Sequence, residues 1–356
     1  MTRARLKRIG LWVGFIAALG FLALTVLNAS WLAPVPHGRI SLIAHRGVYQ
    51  AYDHKDLGRD TCTATRIEQP QHRYLENTLE SLRQARALGA VMVELDIAPT
   101  ADGQLAVFHD WTLDCRTDGH GDTRDATMAE LKALDAGYGY TADGGKSFPF
   151  RGRGVGAIPS LAEYLAANGN RALMFNFKSK DAKEADMLAA ALKAAGRDPV
   201  ARGDGFYGGK EAGPVARMRE LYPQAWVFSG ESVIACTKAY AIQGWFGITP
   251  EACRGGTMMI PLNRQFAFAG WPNRAIARLE AVGARIVVVG PQGTGGPRGL
   301  DLPEQLGEVP SSFNGYVWVD DMWNLGPALH PSVERRSNAD QVAAQDALER
   351  RRAARD

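Results

Sequence analysis

The chain has 356 residues, of which 46% are hydrophobic and 22% are charged, and 41 basic against 38 acidic residues give a formal net charge of +3. This composition excludes a chain that is disordered throughout, and the near balance of charge gives no support for nucleic-acid binding through bulk electrostatics. The length suffices for one domain of about 250 residues with additional segments, or for two smaller domains.

The amino terminus departs from this average. Residues 1–10 carry four cations, and residues 9–38 contain no Asp, Glu, Lys or Arg. Roughly 20 helical residues cross a bilayer core of ~30 Å, so the apolar run Leu11–Leu27 with its flanks predicts a transmembrane helix. We predict a cytoplasmic basic segment at 1–10, a single-pass anchor at 11–31 and a linker at 32–39. The rest of the chain is then periplasmic or extracellular, since basic flanks stay in the cytoplasm.

A cleaved signal peptide is the main alternative to an anchor. Cleavage favours small residues at the third and first positions before the cut. A cut after Ala29 would have Leu27 at the third position before it, and a cut after Ala33 would have Trp31 there. Both sites are poor, which favours the retained anchor.

The four cysteines fit an exported domain. Cys62, Cys115, Cys236 and Cys253 form no CxxC motif, so a zinc knuckle is not indicated. An even number in an oxidising compartment predicts two disulfides, although four buried thiols are the alternative. Of the three connectivities, we favour Cys62 with Cys115 and Cys236 with Cys253.

Short apolar runs recur along the rest of the chain and alternate with stretches of helical spacing. This pattern predicts parallel strands joined by helices, and about eight strands favour a closed (β/α)8 TIM barrel at residues 40–330. The predicted strands are Ile40–Ala44, Val91–Ile97, Leu105–Phe108, Ala172–Phe177, Ala225–Phe228, Met258–Leu262, Arg285–Val289 and Tyr316–Val319. Residues 331–356 form a charged tail, expected to be a solvated helix or disordered.

Glu94 and Asp96 are the first candidates for chemistry. They are two residues apart in an apolar strand, so both carboxylates face the same side. Two adjacent like charges are costly there without a cation, and hard divalent ions such as Mg²⁺ or Ca²⁺ prefer oxygen ligands. Salt bridges to Arg or Lys are the alternative, and this pair by itself does not decide between the two.

Two histidine motifs follow predicted strands, His45-Arg46-Gly47 after the first and His109-Asp110 after the third. The carboxyl ends of barrel strands form the active-site face, so both histidines are expected there. Histidine transfers protons near pH 7, and the arginine fork matches two phosphate oxygens. Each motif alone is compatible with a structural turn. Their position after apolar strands favours a catalytic role.

The order of these motifs resembles the glycerophosphodiester phosphodiesterase family. The likeness covers about residues 40–180 and is weaker beyond, where Trp318–Asp321 resembles the family's last strand. The motifs are His45-Arg46-Gly47, Glu76-Asn77-Thr78, Glu94-Leu95-Asp96, Thr100-Ala101-Asp102-Gly103 and His109-Asp110, followed by Thr112-Leu113-Asp114, Met128–Leu134 and Ile158-Pro159-Ser160-Leu161.

The resemblance implies a TIM barrel that uses one divalent cation, Mg²⁺ or Ca²⁺, on a phosphodiester. By matching positions, it implies that Glu94 and Asp96 bind the metal and that Glu76 lies close to it. It also implies that His45 and His109 act as general acid and base, each contributing ~10²–10⁴-fold to the rate.

The resemblance further implies that Arg46 and Lys178 hold the substrate phosphate. Asn77 has two interpretations at this stage: it hydrogen-bonds within the site, or it caps the helix that follows.

Two features depart from the family pattern. Asn176 stands where the family places a third metal carboxylate, two residues before Lys178. Its amide oxygen can still bind a cation but lacks charge, so metal affinity or preference is expected to differ. The polar insertion 48–75 separates the first two motifs, and a Cys62–Cys115 bond would hold it over the pocket.

We therefore expect hydrolysis of glycerophosphodiesters to glycerol 3-phosphate and an alcohol. The expected partners are a small-molecule diester and the membrane. Two alternatives stay open. One is lysophospholipase D-like action on a lysolipid beside the anchor. The other is a weakly catalytic phosphodiester-binding protein, which is suggested only by Asn176.

Overall fold

The computed structural model describes residues 3–58, 61–293 and 298–354, and the strands in these ranges form one barrel. Its eight parallel strands are β1 (Ser41–Ala44), β2 (Met92–Pro99), β4 (Leu173–Phe177), β5 (Gly205–Gly208), β6 (Trp226–Ser229), β7 (Thr257–Pro261), β8 (Arg285–Val289) and β9 (Tyr316–Val319). Neighbours pair in the order β6-β5-β4-β2-β1-β9-β8-β7. Across the seam between β6 and β7, Trp226 Nε1 donates to Thr257 Oγ1 at 2.8 Å. The predicted (β/α)8 TIM barrel is confirmed.

Short helices surround the barrel and return the chain from one strand to the next. Ser160 begins one of them with a capping box, in which its hydroxyl and the Glu163 carboxylate satisfy each other's backbone N–H groups. The helices are α2 (Leu79–Ala87), α3 (Met128–Ala133), α4 (Leu161–Asn168), α5 (Lys183–Ala194), α6 (Pro199–Arg202), α7 (Pro214–Leu221), α8 (Gly230–Gln243), α9 (Asn273–Glu280), α10 (Gln305–Glu308) and α11 (Met322–Leu329), numbered after the amino-terminal helix α1.

Alternation along β2 separates two apolar layers. Val93 and Leu95 belong to the large core between strands and helices, whereas Met92 belongs to a smaller core inside the barrel. Glu94 and Asp96 share the side of Met92, and both are fully buried. The shared face predicted for the two carboxylates is therefore the barrel interior.

The prediction that Leu105–Phe108 is a barrel strand is wrong. This run forms β3 (Leu105–Val107), which pairs antiparallel with the end of β2, Ile97 opposite Val107. A parallel crossover needs a dozen or more residues, and only residues 100–104 separate β2 from β3. The chain therefore turns straight back on itself.

The remaining barrel strand, β5, is absent from the sequence prediction. Its four residues, Gly205–Gly208, include two glycines, which weakens any strand signal. Gly205 is required by packing, because an added Cβ would lie 2.4 Å from Met174 Sδ. The feature that hides β5 in the sequence is thus the one that lets it fit beside β4.

The amino-terminal segment forms α1 (Arg3–Leu27), and a 3₁₀ turn at Ser30–Leu32 follows it. The most apolar 18-residue window within Lys7–Leu27 has a mean hydropathy of 2.3 and none of it is buried, so α1 is long and apolar enough to cross a membrane. The helix ends at Leu27 rather than at residue 31. The first two residues of the predicted basic segment lie outside the described residues.

The charged tail is a helix, α12 (Asn338–Ala353), and one side of it is buried. Arg351 is 6% exposed and pairs with Glu68 and Asp321, at 2.8 Å each. Ala344 and Ala347 are also buried, since small side chains let the helix approach the barrel closely. The expectation of a solvated or disordered tail is wrong for this side. Residues 355–356 lie outside the described ranges.

Both predicted disulfides are present, Cys62–Cys115 and Cys236–Cys253. The alternative of four buried thiols is therefore wrong.

Candidate active site

His45 is fixed by a carboxylate from the neighbouring strand. It follows β1, Asp320 follows β9, and these two strands pair with Ala44 opposite Val319. His45 Nδ1 lies 2.8 Å from Asp320 Oδ1. Burial opposes ionisation of Asp320, but the hydrogen bond and charge of His45 outweigh it and lower the pKa of Asp320 to about 2. The carboxylate therefore holds the Nδ1 proton, which leaves Nε2 for chemistry.

His109 reaches the site by a different route from the one predicted. It follows the antiparallel strand β3, and Phe108 N donates to the Asp96 carbonyl oxygen at 3.0 Å. The hairpin thus carries His109 back to the mouth of the barrel. Its Nδ1 lies 2.6 Å from Asp110 Oδ1. Burial, with the charges of Arg46 and Lys178, lowers the pKa of His109 to about 4, so the ring is neutral at pH 7.

Glu94 and Asp96 have different surroundings. Glu94 accepts hydrogen bonds from the Tyr207 hydroxyl at 2.7 Å and from Arg46 N at 3.0 Å. Burial and the adjacent Asp96 charge raise the pKa of Glu94. Burial also opposes ionisation of Asp96, but Lys178 and other neighbouring charges outweigh it and hold the pKa of Asp96 well below its usual range.

Asp96 is the centre of the polar network. Its Oδ1 accepts from Asn176 Nδ2 at 2.8 Å and lies 3.2 Å from Lys178 Nζ, while Oδ2 lies 3.4 Å from Arg46 Nε. Asn77 Nδ2 donates to Oδ2 at 3.0 Å. Asp96 thus contacts the side chains of Arg46, Lys178 and Asn176, three of the residues implied by the resemblance.

Asn77 hydrogen-bonds within the site, and the helix cap is its neighbour Thr78. The Thr78 side chain accepts from Ser81 N at the start of α2. Asn77 has a φ of 59°, and its Oδ1 accepts from Asp96 N while its Nδ2 donates to the same residue's carboxylate. The interpretation of Asn77 as the helix cap is therefore wrong.

Glu76 lies between two buried arginines. Its Oε1 accepts from Arg46 Nη1 at 3.0 Å, and its Oε2 pairs with Arg116 Nη1 at 3.1 Å. Arg116 Nε also pairs with Asp110 Oδ2 at 2.9 Å. Arg116 is only 3% exposed and links the carboxylate beside Arg46 to the one beside His109.

Three residues of this site are absent from the sequence-based set: Arg116, Tyr207 and Asp320. Tyr207 lies on the missed strand β5. Arg116 follows Cys115 without a recognisable motif. Asp320 directly follows an apolar strand, the same signal that singled out His45, and this signal could have found it.

Lys178 and His109 open onto a cleft of ≈ 360 Å³. Lys178 is 23% exposed at its side chain. The cleft is also lined by both residues of the Cys62–Cys115 disulfide, so the 48–75 insertion borders the pocket as predicted.

Removing the Cys62–Cys115 bond is expected to lower both stability and turnover. The bond spans 53 residues, for which the chain-entropy relation gives about 4 kcal/mol of unfolding free energy. Its loss also loosens the border of the cleft beside His109. The measurement is urea unfolding and kcat of the chain with Cys62→Ser and Cys115→Ser.

The second disulfide provides the matched control. Cys236–Cys253 spans 17 residues, joins α8 to the segment before β7, and is expected to contribute about 3 kcal/mol. The chain with Cys236→Ser and Cys253→Ser should lose stability and keep its kcat. An equal fall of kcat in both variants would show that the first bond has no specific effect on the cleft.

The side chains of the site leave an excess of negative charge. Five carboxylates face three permanent cations, so with neutral histidines the formal excess is two charges. The carboxylates are Glu76, Glu94, Asp96, Asp110 and Asp320, and the cations are Arg46, Arg116 and Lys178. One divalent cation would balance this excess. The pKa of Glu94 is raised first by burial and second by the neighbouring Asp96 charge. The described residues contain no group of three His, Cys, Asp or Glu arranged to hold a metal, so amide or substrate oxygens would complete the shell.

Comparison with known proteins gives matches in sequence and in fold. Residues 68–201 match the model of the Glycerophosphoryl diester phosphodiesterase family. The chain is 39% identical over 105 residues to a glycerophosphodiester phosphodiesterase of Caldanaerobacter subterraneus, covering 30% of this chain and 40% of that protein. It is 33% identical over 155 residues to human glycerophosphodiester phosphodiesterase 1, covering 43% and 38%. The chain thus spans about two fifths of these relatives' length.

Solved structures share the fold over most of the chain. A glycerophosphodiester phosphodiesterase from Agrobacterium tumefaciens aligns with a TM-score of 0.52 and 21% identity, covering 81% of this chain and 99% of that one. An Oleispira antarctica phosphodiesterase, solved with the product sn-glycerol-3-phosphate, aligns with a TM-score of 0.51 and 18% identity, covering 85% and 99%. The sequence match shows that residues 68–201 are similar to the glycerophosphoryl diester phosphodiesterase family.

Proposed function

We propose that this protein hydrolyses glycerophosphodiesters to glycerol 3-phosphate and an alcohol. The observation that carries the proposal is the arrangement at the mouth of the barrel. Two histidines, each oriented by a carboxylate through Nδ1, stand at the same end as Lys178 and the buried Glu94–Asp96 pair. The family match over residues 68–201 and the product bound to the Oleispira antarctica neighbour support this chemistry.

The donor set fits one divalent cation, Mg²⁺ or Ca²⁺. Glu94 and Asp96 would hold it through carboxylate oxygens, and the Asn176 amide oxygen would be the third protein ligand. Such a cation supplies Lewis-acid polarisation and charge neutralisation at the phosphoryl group. Glu76 pairs with Arg46 through Oε1 and with Arg116 through Oε2, so we assign it to positioning Arg46.

The chain's own groups provide binding and proton transfer. Lys178 and Arg46 neutralise the phosphate oxygens, and both are held in place by Asp96. One histidine removes the proton of the attacking hydroxyl, which in a glycerol substrate is the neighbouring 2-OH. The oxygen of this hydroxyl bonds to phosphorus, and the P–O bond to the alcohol breaks. The other histidine protonates the departing alcohol oxygen. Water then opens the cyclic phosphate by the reverse proton transfers.

The test is turnover of a panel of glycerophosphodiesters by the full chain with Mg²⁺, with Ca²⁺ and with chelator. We expect glycerol 3-phosphate as product and a requirement for one of the ions. Full turnover in chelator would remove the metal from the proposal, and absence of glycerol 3-phosphate under every condition would refute the activity.

Asn176 is expected to determine metal affinity. Its side chain lies beside Asp96, to which Nδ2 donates at 2.8 Å. Asn176→Glu adds a charged oxygen ligand and should raise affinity for the cation, whereas Asn176→Leu should lower it with the fold preserved. Calorimetric titration with Mg²⁺ and Ca²⁺, together with the half-saturating ion concentration in turnover, measures the effect. The same values in wild type and both variants would exclude Asn176 as a ligand.

We also propose that α1 is a retained single-pass anchor and that the barrel lies outside the cytoplasm. The apolar span Lys7–Leu27 and the two disulfides support this placement. Protein isolated from membranes is expected to keep its amino terminus and to resist carbonate extraction. Mature protein that begins near Ser30 would show that the segment is a signal peptide.

A further inference from the structure

The end of α1 is fastened to the catalytic domain. Asn28 Nδ2 donates to the Trp245 carbonyl oxygen at 2.8 Å, and Arg278 donates to the Leu27 carbonyl oxygen and to Asn28 Oδ1, both at 2.9 Å. Leu27 also packs on Gly247, where an added Cβ would lie 2.9 Å from Leu27 Cδ2. Because every residue of Lys7–Leu27 is exposed, the helix leads away from the domain rather than along it.

This attachment lies at the amino-terminal ends of the barrel strands. The 3₁₀ turn Gly244–Phe246 follows α8 and precedes β7, and Arg278 is in the last turn of α9, just before β8. The linker carbonyl of His37, just before β1, accepts from Asn314 Nδ2, just before β9. In a parallel barrel all of these positions share one end.

The proposed catalytic groups lie at the opposite end. His45, Lys178 and Asp320 each directly follow the last residue of a barrel strand. Strands of four or five residues rise ~3.3 Å per residue, which separates the two ends by about 13–17 Å of sheet before loops are added.

Exposed apolar side chains lie on the chain segments next to the point where α1 meets the barrel. We call them the anchor-side patch, and their exposed fractions run from 45% to 76%. The Cys236–Cys253 disulfide closes the loop that carries most of them. The patch consists of Trp31, Val35, Ile242, Trp245, Phe246 and Ile248. Patches of this kind mark interaction surfaces, and tryptophan is enriched where proteins meet the membrane boundary.

We propose that the anchor-side patch lies in the headgroup region of the bilayer that α1 crosses, so that the active-site mouth faces away from the membrane. This inference rests on the membrane attachment and phosphodiesterase activity proposed above. The occupant is a lipid surface because the patch is continuous with the end of a membrane-length apolar helix. The substrate is then a diester dissolved in the aqueous compartment, since a headgroup of the same bilayer lies at the far end of the barrel from His45 and Lys178.

Depth-dependent fluorescence quenching tests the orientation. The full chain is reconstituted in phosphatidylcholine–phosphatidylglycerol vesicles with Phe246→Cys or Val155→Cys, each labelled with bimane. The two sites are equally exposed, at 64% and 62%. Val155 pairs with Asp135, in a segment that packs against Cys115 beside the cleft. It is therefore the matched control at the opposite end.

We expect lipids brominated near the headgroup to quench the probe at residue 246 and not the probe at 155, and aqueous iodide to do the reverse. Quenching of the 155 probe by lipid, or of the 246 probe by iodide alone, overturns the orientation. Neither quenching measurement depends on turnover, so an inactive chain still tests the orientation. Release of the chain by carbonate would instead refute the membrane attachment.

Substrate choice gives the second test. In the same vesicles, free glycerophosphocholine and a long-chain lysophosphatidylcholine incorporated in the bilayer present the same phosphodiester from two sources. We expect turnover of the free diester and little of the incorporated one. An equal kcat/KM for the incorporated lysolipid overturns the proposed orientation, whereas loss of turnover on both would count against the proposed activity instead.

Discussion

Replacing Glu94 with glutamine is expected to abolish metal-dependent hydrolysis and to leave the metal-free fold at least as stable as the wild type. Loss of a residue that orients a metal ligand typically lowers metal affinity or activity ~10–100-fold. Loss of a direct ligand should therefore lower activity at least ~10²-fold. Burial and Asp96 raise the pKa of Glu94, which means that its ionised form opposes folding when no cation is bound. The neutral amide removes that cost. The variant Glu94→Ala should be equally inactive.

Asp96→Asn should lose activity to the same degree and shift stability in the opposite direction. The pKa of Asp96 lies well below its usual range, so its charge stabilises the fold. The substitution leaves Lys178 and Arg46 without their shared partner. Asp96→Ala should behave likewise, with more loss of packing.

The measurement is urea unfolding in chelator, calorimetric metal binding and turnover for each variant beside the wild type. The two residues are matched controls for one another because they share a strand face and are equally buried. Near-normal activity of either variant after metal is restored would refute the metal assignment. Equal destabilisation by both substitutions would contradict the difference between their environments.

The second large effect is the joint loss of the two histidines. His45→Ala and His109→Ala are each expected to lower kcat by at least ~10²-fold, the range for a general acid or base. The double variant should lose much less than the product of the single losses, because the two histidines act as a unit in one reaction.

His120→Ala is the control for these variants. His120 also pairs with a carboxylate, Asp114 at 2.9 Å, but its side chain is 86% exposed. Its kcat should equal that of the wild type. A double variant whose loss equals the product of the single losses would contradict a concerted role for His45 and His109.

The sequence by itself determined the features that depend on local spacing. Side chains alternate along any strand, so Glu94 and Asp96 had to share a face, and Asn176 and Lys178 likewise. Alternating strands and helices predicted a parallel sheet, and the number of strands favoured its closure into a barrel. The position of His45 followed from its place at a strand end. Each of these conclusions needs only residues that are close in the chain.

The tertiary structure alone decided which distant groups meet. His109 reaches the mouth because β3 pairs antiparallel with β2, a choice made by the short turn between them. Tyr207 meets Glu94 only because the glycine-rich strand β5 fits against Met174. Arg116 pairs with both Glu76 and Asp110, and only the fold brings the carboxylate of Glu76 to it.

The carboxyl-terminal tail and the amino-terminal helix also depend on contacts with distant segments. The charged composition of α12 predicts a solvent-exposed segment. Arg351 is nevertheless buried, because the fold brings Glu68 and Asp321 to it from distant parts of the chain. Likewise the apolar run of α1 indicates a membrane helix, but only the fold shows which end of the barrel holds it. Composition and periodicity describe one segment at a time, whereas ion pairs, strand pairing and orientation depend on segments that are far apart in the sequence.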